Sequence, residues 1–243
     1  MPLGWRRGVD WLGDLLFPPL CVHCRGMIEE SEYRYLCADC GRRIEFVQPP
    51  VCETCGHPFS GATSGERICA HCTGLVPAFG RGRSAVLFRG PARSLLIELK
   101  YRRGGYVLRD MEKIFRRSPA VLSHVRGAVL IPVPLHPRKR RERGFNQSAM
   151  LAEALARAAG TAPPQPLLRR LLDTPTQTVL DRSGRRSNLK NAFALTPGAD
   201  LNPWKRYVLI DDVFTSGSTL NSCATALRRA GCLNLDVVTF AHG

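Results

Sequence analysis

From Phe79 onward, apolar and polar positions fall into two alternating kinds of stretch. Short apolar runs at Ser84–Phe88, Ala128–Pro134, Tyr207–Asp211 and Leu235–Phe240 predict strands, the second of the kind buried on both faces of a parallel sheet. Longer mixed stretches predict helices at Pro91–Tyr101, with Pro early in the first turn, and at Tyr106–Arg117, Ser148–Ala159 and Thr219–Ala230. Strands alternating with helices imply a mostly parallel, doubly wound sheet, so residues 79–243 read as one α/β domain. The first twenty residues follow another pattern. Trp5, Val9, Leu12 and Leu16 share one helical face, which predicts a short amphipathic helix over residues 1–20 docking on its own protein. Asp10 and Asp14 interrupt any signal-peptide core, and no apolar run of eighteen residues occurs. A cytoplasmic chain without a membrane span is expected.

Cysteine spacing marks off a module between these regions, at residues 21–75. Cys21-x-x-Cys24 is followed by Cys37-x-x-Cys40, and Cys52-x-x-Cys55 by Cys69-x-x-Cys72. Each Cys-x-x-Cys turn aims two sulfurs at one metal, and two turns complete a tetrahedron. Two structural zinc ions are therefore expected, in two consecutive zinc ribbons. Sequential pairing closes the shorter loops, although a crossed arrangement also satisfies the spacing. His23, His57 and His71 lie beside the pairs and are read as bystanders. Cys223 and Cys232 lack such pairing and read as small buried apolar residues.

The charge is unevenly spread. Residues 1–75 carry 7 Arg and no Lys against 9 acids, a net of −2, which leaves +17 on residues 76–243. Such a field draws in polyanions without saying whether they are phosphorylated sugars or nucleic acid. In the ribbons, Tyr33, Tyr35, Arg34, Arg42 and Arg43 offer stacking and charge to single-stranded nucleic acid; they suit a solvated surface with one packed tyrosine equally well.

The stretch Val208–Leu220 carries the most specific chemistry. An apolar strand leads to Asp211-Asp212, then to Thr215-Ser216-Gly217-Ser218-Thr219, then to a helix. Amide and hydroxyl donors at a helix N-terminus suit a phosphate. Gly217 lets backbone approach it closely. Two carboxylates just before the loop can accept from vicinal ribose hydroxyls. In its full length the stretch resembles the phosphoribosyl-pyrophosphate (PRPP) motif of type I phosphoribosyltransferases.

Two further segments fall near the same sheet edge. After the strand ending at Pro134 come Arg138, Lys139, Arg140, Arg141 and Arg143, read as a basic loop. Arg143-Gly144 is the best candidate for pyrophosphate contact, because guanidinium forks match its oxygens. Arg138–Arg141 suit steering or a polyanion. The segment Thr174–Phe193, flanked by strand candidates at Thr176–Leu180 and Ala192–Leu195, suits a hairpin-based lid carrying Arg182, Arg185 and Arg186; an ordinary surface loop is the alternative. No general base stands out: His136, Glu142 and Asp181 are candidates by sequence proximity alone.

Taken together, these strings resemble the ComF family over nearly the whole chain. The match runs from Leu15–Cys21 through the ribbons, Leu99-Lys100-Tyr101-Arg102, Ile131–His136 and Arg143–Ser148. It continues at Gln177, Asn188 and Phe193 and ends on Asp211–Thr219. The resemblance implies a type I phosphoribosyltransferase-like parallel sheet behind an N-terminal double zinc ribbon. It also implies PRPP binding, commonly with Mg²⁺, and help with single-stranded DNA in natural transformation beside other competence proteins. On that resemblance Asp211 and Asp212 are the catalytic carboxylates and Thr215–Thr219 the 5′-phosphate loop. Two readings stay open: a PRPP-dependent transferase with an unidentified acceptor, and a PRPP-binding DNA-handling protein without turnover.

Overall fold

The computed structural model describes residues 19–59, 68–70, 72–73, 76–101, 104–171 and 192–243. The helix expected at 1–20 therefore lies almost wholly outside the described residues, and so do Gln177, Asn188 and the lid segment up to residue 191.

The elements run in this order: α1 Ala38–Arg42, β1 Gly82–Leu87, α2 Gly90–Tyr101, a 3₁₀ turn Gly105–Val107, α3 Leu108–Arg116 and α4 Pro119–Val125. Then come β2 Val129–Pro132, α5 Pro137–Arg143, α6 Gln147–Ala159, β3 Leu168–Arg170, β4 Phe193–Leu195, β5 Arg206–Phe214, α7 Ser218–Arg229 and β6 Asn234–His242. Four strands form one sheet in the order β1-β6-β5-β2, with every pair parallel. β3 and β4 form a separate antiparallel pair. This is the expected α/β architecture, a parallel sheet preceded by the cysteine module.

Side-chain alternation builds a core on each face of the sheet. Val208, Ile210, Leu130 and Phe240 face Leu95 and Leu99 of α2, Met111 and Phe115 of α3, and Leu151 and Leu155 of α6. Phe115 meets Phe240 edge-on at 5.4 Å. Tyr207, Leu209, Ile131 and Val237 face Cys223, Ala224 and Leu227 of α7 with Leu168 and Phe193 of the small pair. Cys223 and Cys232 are buried there, as expected. The cysteine module divides between the two cores: Cys21, Tyr33 and Leu36 join the first, and Cys52, Cys55, Cys69 and Cys72 the second.

Two expectations need correction, and two elements, β3 and α4, were not anticipated. The basic stretch after Pro134 is a helix, α5: His136 caps it by accepting from the Arg138 N–H, Pro137 opens it, and Gly144 closes it at φ 83°. Its run of bases hid the helical signal, which lies in the caps. β5 runs through both acids to Phe214, because its pairing with β6 continues as far as His242. β4 pairs with β3, a strand not anticipated, and the strand candidate at Thr176–Leu180 lies outside the described residues. α4 carries no wide apolar stripe and was not anticipated; Val121 and Val125 alone are buried on it.

Candidate sugar-phosphate site and zinc ribbons

β2 and β5 are parallel neighbours, so their carboxyl ends lie side by side. The connections that leave them, toward α5–α6 and α7, converge there, which is where open α/β sheets place ligands. Asp211 follows Tyr207 and Leu209 along β5, and Asp212 follows Val208 and Ile210. Both nevertheless bond to the first turn of α6. Asp211 Oδ1 accepts from Ser148 Oγ at 2.8 Å and from the Asp212 N–H at 2.9 Å. Asp212 Oδ2 accepts from Gln147 Nε2 at 3.0 Å and pairs with Lys100 Nζ at 3.0 Å. Each carboxylate thus keeps one oxygen without a partner among the described residues.

Asp212 is buried, and Asp211 is partly so. Loss of solvent, with the adjacent Asp212 charge, pushes the Asp211 pKa up to about 7 against the pull of Ser148, the Asp212 N–H and Lys100. Burial, with Asp211 close by, also holds the Cys223 thiol well above its ordinary range.

The loop after β5 turns at Gly217, which has φ 68° and stands as the N-cap of α7 without a side-chain cap. Ser216 Oγ and Ser218 Oγ lie 2.9 Å apart. A Cβ on Gly217 would sit 2.8 Å from Phe214 Cζ, so the glycine is required by its own neighbour as well as by its φ. Thr215 is exposed and Thr219 partly so, and α7 opens with a polar first turn.

The eight ribbon cysteines form two groups, Cys21/Cys24/Cys37/Cys40 and Cys52/Cys55/Cys69/Cys72, with the four sulfurs of each within 4.8 Å of one another. Pairing is sequential. Zn–S bonds of about 2.3 Å put tetrahedral sulfurs about 3.8 Å apart. Cys24 and Cys37 are 3.7 Å apart, and Cys55 and Cys69 3.6 Å, so the residues fit zinc. Backbone N–H groups tune the sulfurs: Cys69 N–H donates to Cys52 Sγ at 3.3 Å and His57 N–H to Cys55 Sγ at 3.4 Å. Burial raises the Cys52 thiol, but the N–H groups of Cys69, Cys55 and Thr54 outweigh it and bring the pKa to about 7.

The double zinc ribbon domain family matches residues 12–73. The chain is 31% identical over 228 residues to the DNA utilization protein YhgH of Salmonella typhimurium, spanning 92% of this chain and 96% of that one. It is 29% identical over 221 residues to competence protein F of Haemophilus influenzae, spanning 89% and 94%. The chain belongs to the ComF family. A hypoxanthine phosphoribosyltransferase from Staphylococcus aureus is similar over 54% of this chain and 62% of its own, at 18% identity and a TM-score of 0.32.

In this ComF chain, Arg143 is tied to the diacid by one intermediate. Its Nη1 donates to Gln147 Oε1 at 2.7 Å, and Gln147 donates onward to Asp212. The guanidinium also lies over the Tyr101 ring at 5.6 Å. Gly144 serves α5 as its left-handed cap. His136 and Glu142 have places in that helix, the first as cap and the second 3.1 Å from Arg138; Asp181 lies outside the described residues. His23 bonds Ser94, and His57 meets His242, so neither replaces a cysteine; His71 lies outside the described residues. Tyr33 is buried and accepts from Arg117, while Tyr35 packs edge-on against Tyr106 at 4.5 Å. Tyr33 is thus the packed tyrosine, while Tyr35 stays half-buried. Among the described residues no helix is long and apolar enough to cross a membrane.

Reading the sequence missed three contributors: Lys100, Gln147 and Ser148. Each sits in a string that resembles the family, yet their roles depend on which strand their helices cover. For Gln147 and Ser148 the available signal was polar residues opening a helix that follows an apolar strand; Lys100, in the last turn of α2, had none.

Proposed function

We propose that this protein binds PRPP at the carboxyl end of β5 and, as a ComF-type protein, works in handling single-stranded DNA. One observation carries the sugar reading. Two carboxylates are each held through one oxygen, and they lead directly into the α7 N-terminus, whose N-cap Gly217 offers no side-chain cap, behind a Thr-Ser-Gly-Ser-Thr loop. In this reading the remaining oxygens of Asp211 and Asp212 accept from the ribose hydroxyls. Thr215, Ser216, Gly217, Ser218 and Thr219 bind the 5′-phosphate by amide and hydroxyl donors. Arg143 and Lys100 supply positive charge on the pyrophosphate side, and Gly144 leaves open space beside Arg143, since a Cβ there would meet nothing. Asp211 and Asp212, engaged by Ser148, Gln147 and Lys100, do not make a cage for Mg²⁺. Bound on the ligand's own oxygens, Mg²⁺ would offset pyrophosphate charge.

Were turnover to occur, the C1–O bond to pyrophosphate would break, the nucleophile would bond to C1, and the diacid would offset the positive charge growing on the ribose. His136 and Glu142, the described candidates for a base, are occupied in α5.

The DNA reading draws on two supports. The relatives' names speak of competence and DNA utilization. The body of the chain carries +17, part of it on α5, where Arg138, Arg140 and Arg141 are exposed. A zinc-thiolate module suits a reducing, cytoplasmic setting. Calorimetry with PRPP, with and without Mg²⁺, tests the sugar site. Binding that is lost when Asp211 and Asp212 both become Asn supports it; no heat at millimolar PRPP removes it.

A further inference from the structure

The two ribbons touch different parts of the protein. The first is held to α2 and α3. His23 Nδ1 lies 2.9 Å from Ser94 Oγ, Arg25 pairs with Glu98 at 3.2 Å, and Asp110 accepts from the Arg34 and Tyr35 N–H groups at 2.9 and 2.7 Å. The second sits against the opposite core, and its contacts lead to the 215–219 loop.

Those contacts are close. Gly56 has φ 78°, and a Cβ there would lie 2.8 Å from the Gly82 carbonyl oxygen. A Cβ on Gly82 would lie 2.8 Å from the Thr54 carbonyl oxygen. The metal-binding turn and the start of β1 therefore meet backbone to backbone, with no side chain between them to absorb a shift. The His57 ring, one residue beyond Gly56, is 4.8 Å from the His242 ring at the end of β6. His242 stacks on Phe214 at 5.2 Å and 13°. Phe214 fills the space beside Gly217.

A second route runs through the segment that leaves the ribbon. Ala78 N–H donates to Asn221 Oδ1 on α7 at 2.7 Å, and Phe79 meets Phe214 edge-on at 6.3 Å. Between the routes lies a cleft of about 320 Å³, with Thr54, Cys72, Val76, Pro77 and Phe79 on one wall and Ser216–Ser218 on the other.

We propose that the second zinc ribbon is a positioning element of the sugar-phosphate site. Its zinc-bound fold fixes His57 and Phe79, these fix Phe214, and Phe214 fixes the loop at Gly217. The phosphate loop is then only as ordered as the ribbon behind it, whereas the first ribbon leaves it untouched. The functional part of the proposal rests on the PRPP reading; the mechanical part does not.

The test uses the full zinc-loaded chain and three variants. Gly56→Ala is strained at its φ and clashes with Gly82, so it pushes the second ribbon off β1. Phe214→Leu removes the ring and leaves the metal site intact, and it serves where Gly56→Ala does not fold. Asp110→Ala loosens the first ribbon. Amide hydrogen exchange over residues 215–220, measured without ligand, should rise about tenfold or more in Gly56→Ala and Phe214→Leu and stay within about twofold in Asp110→Ala. PRPP affinity should fall in the same order. Unchanged exchange in Phe214→Leu overturns the proposal, as does an equal rise in Asp110→Ala. If wild type ignores PRPP while exchange follows the expected order, the ribbon still positions the loop and it is the PRPP reading that fails.

Discussion

The cysteine clusters and the diacid solve one electrostatic problem in opposite ways. Each gathers groups that repel when ionised. In the second ribbon, burial raises the Cys55 and Cys72 thiols, the latter to about 12, so four thiolates need a cation brought from outside. In the diacid the cation belongs to the chain: Lys100 sits 3.0 Å from Asp212, with Gln147 and Ser148 as neutral donors. A cluster that imports its cation is fixed once the ion is bound. One that carries its own keeps carboxylate oxygens available and a pKa near neutrality, which suits a ligand that comes and goes.

The largest effect expected from this comparison follows removal of the imported cation. Structural zinc contributes about 10–16 kcal/mol of folding free energy in small zinc modules, far more than any single contact at the diacid. Elemental analysis should find two zinc ions per chain. Cys52→Ser combined with Cys55→Ser should leave one. Stripping both with a chelator should expose the module to protease while the parallel sheet keeps its circular dichroism. A chain with fewer than two zinc ions that resists protease like wild type would break the comparison.

Removing the built-in cation should cost less. Lys100→Met leaves the buried Asp212 carboxylate with Gln147 alone. Losing one partner of a buried pair costs about 3–5 kcal/mol, and the exposure that Lys100 retains puts the expected loss at or below the lower end. Adding Asp212→Asn should recover part of it. A double-mutant cycle by denaturant unfolding should give a coupling of about 1–3 kcal/mol. Additive effects would mean that Lys100 is a bystander at the site.

The same contrast explains what could be read from the sequence. A zinc ribbon is a local object: its ligands lie two residues apart within a turn and twelve or thirteen between turns, so the spacing gave both sites, while the choice of sequential over crossed pairing came from the structure. Asp211, Asp212 and the loop are also contiguous, and were legible for that reason. Their partners are not contiguous. Gln147 lies 65 residues from Asp212 in sequence, and only the placement of α6 over β2 and β5 brings them together. The strands were legible because buried parallel strands are apolar throughout. α5 was not, because helix propensity in a run of arginines shows on no apolar face, and its caps, His136 and Gly144, are recognisable only once the helix is known. The docking of the second ribbon depends on Gly56 meeting Gly82, two residues without side chains whose proximity no periodicity encodes.

The smallest effect sharpens the comparison most, because it reads the diacid's own charge. In the folded chain Asp211 titrates near 7, whereas an unfolded aspartate titrates near 3.9. Between those values the folded state keeps a proton that the unfolded state releases, so stability falls as pH rises from about 4 to about 7 and then levels off. Asp211→Asn removes this titration and still offers an oxygen to Ser148 and to the Asp212 N–H. The full displacement from about 4 to about 7 corresponds to about 4 kcal/mol, which the solvent left to the half-buried Asp211 reduces to about 1–2 kcal/mol, so the variant's melting temperature should match wild type near pH 4 and exceed it by about 5 °C at pH 8, on a scale of about 2–4 °C per kcal/mol for a chain of this length. The same variant should bind PRPP more weakly at pH 8, since a neutral amide accepts less strongly from ribose hydroxyls. Stability gained as binding is lost marks a carboxylate held at some cost to the fold for the sake of a ligand. If the gap in melting temperature does not widen with pH, Asp211 ionises like an ordinary surface aspartate, and the two clusters no longer differ in the way described.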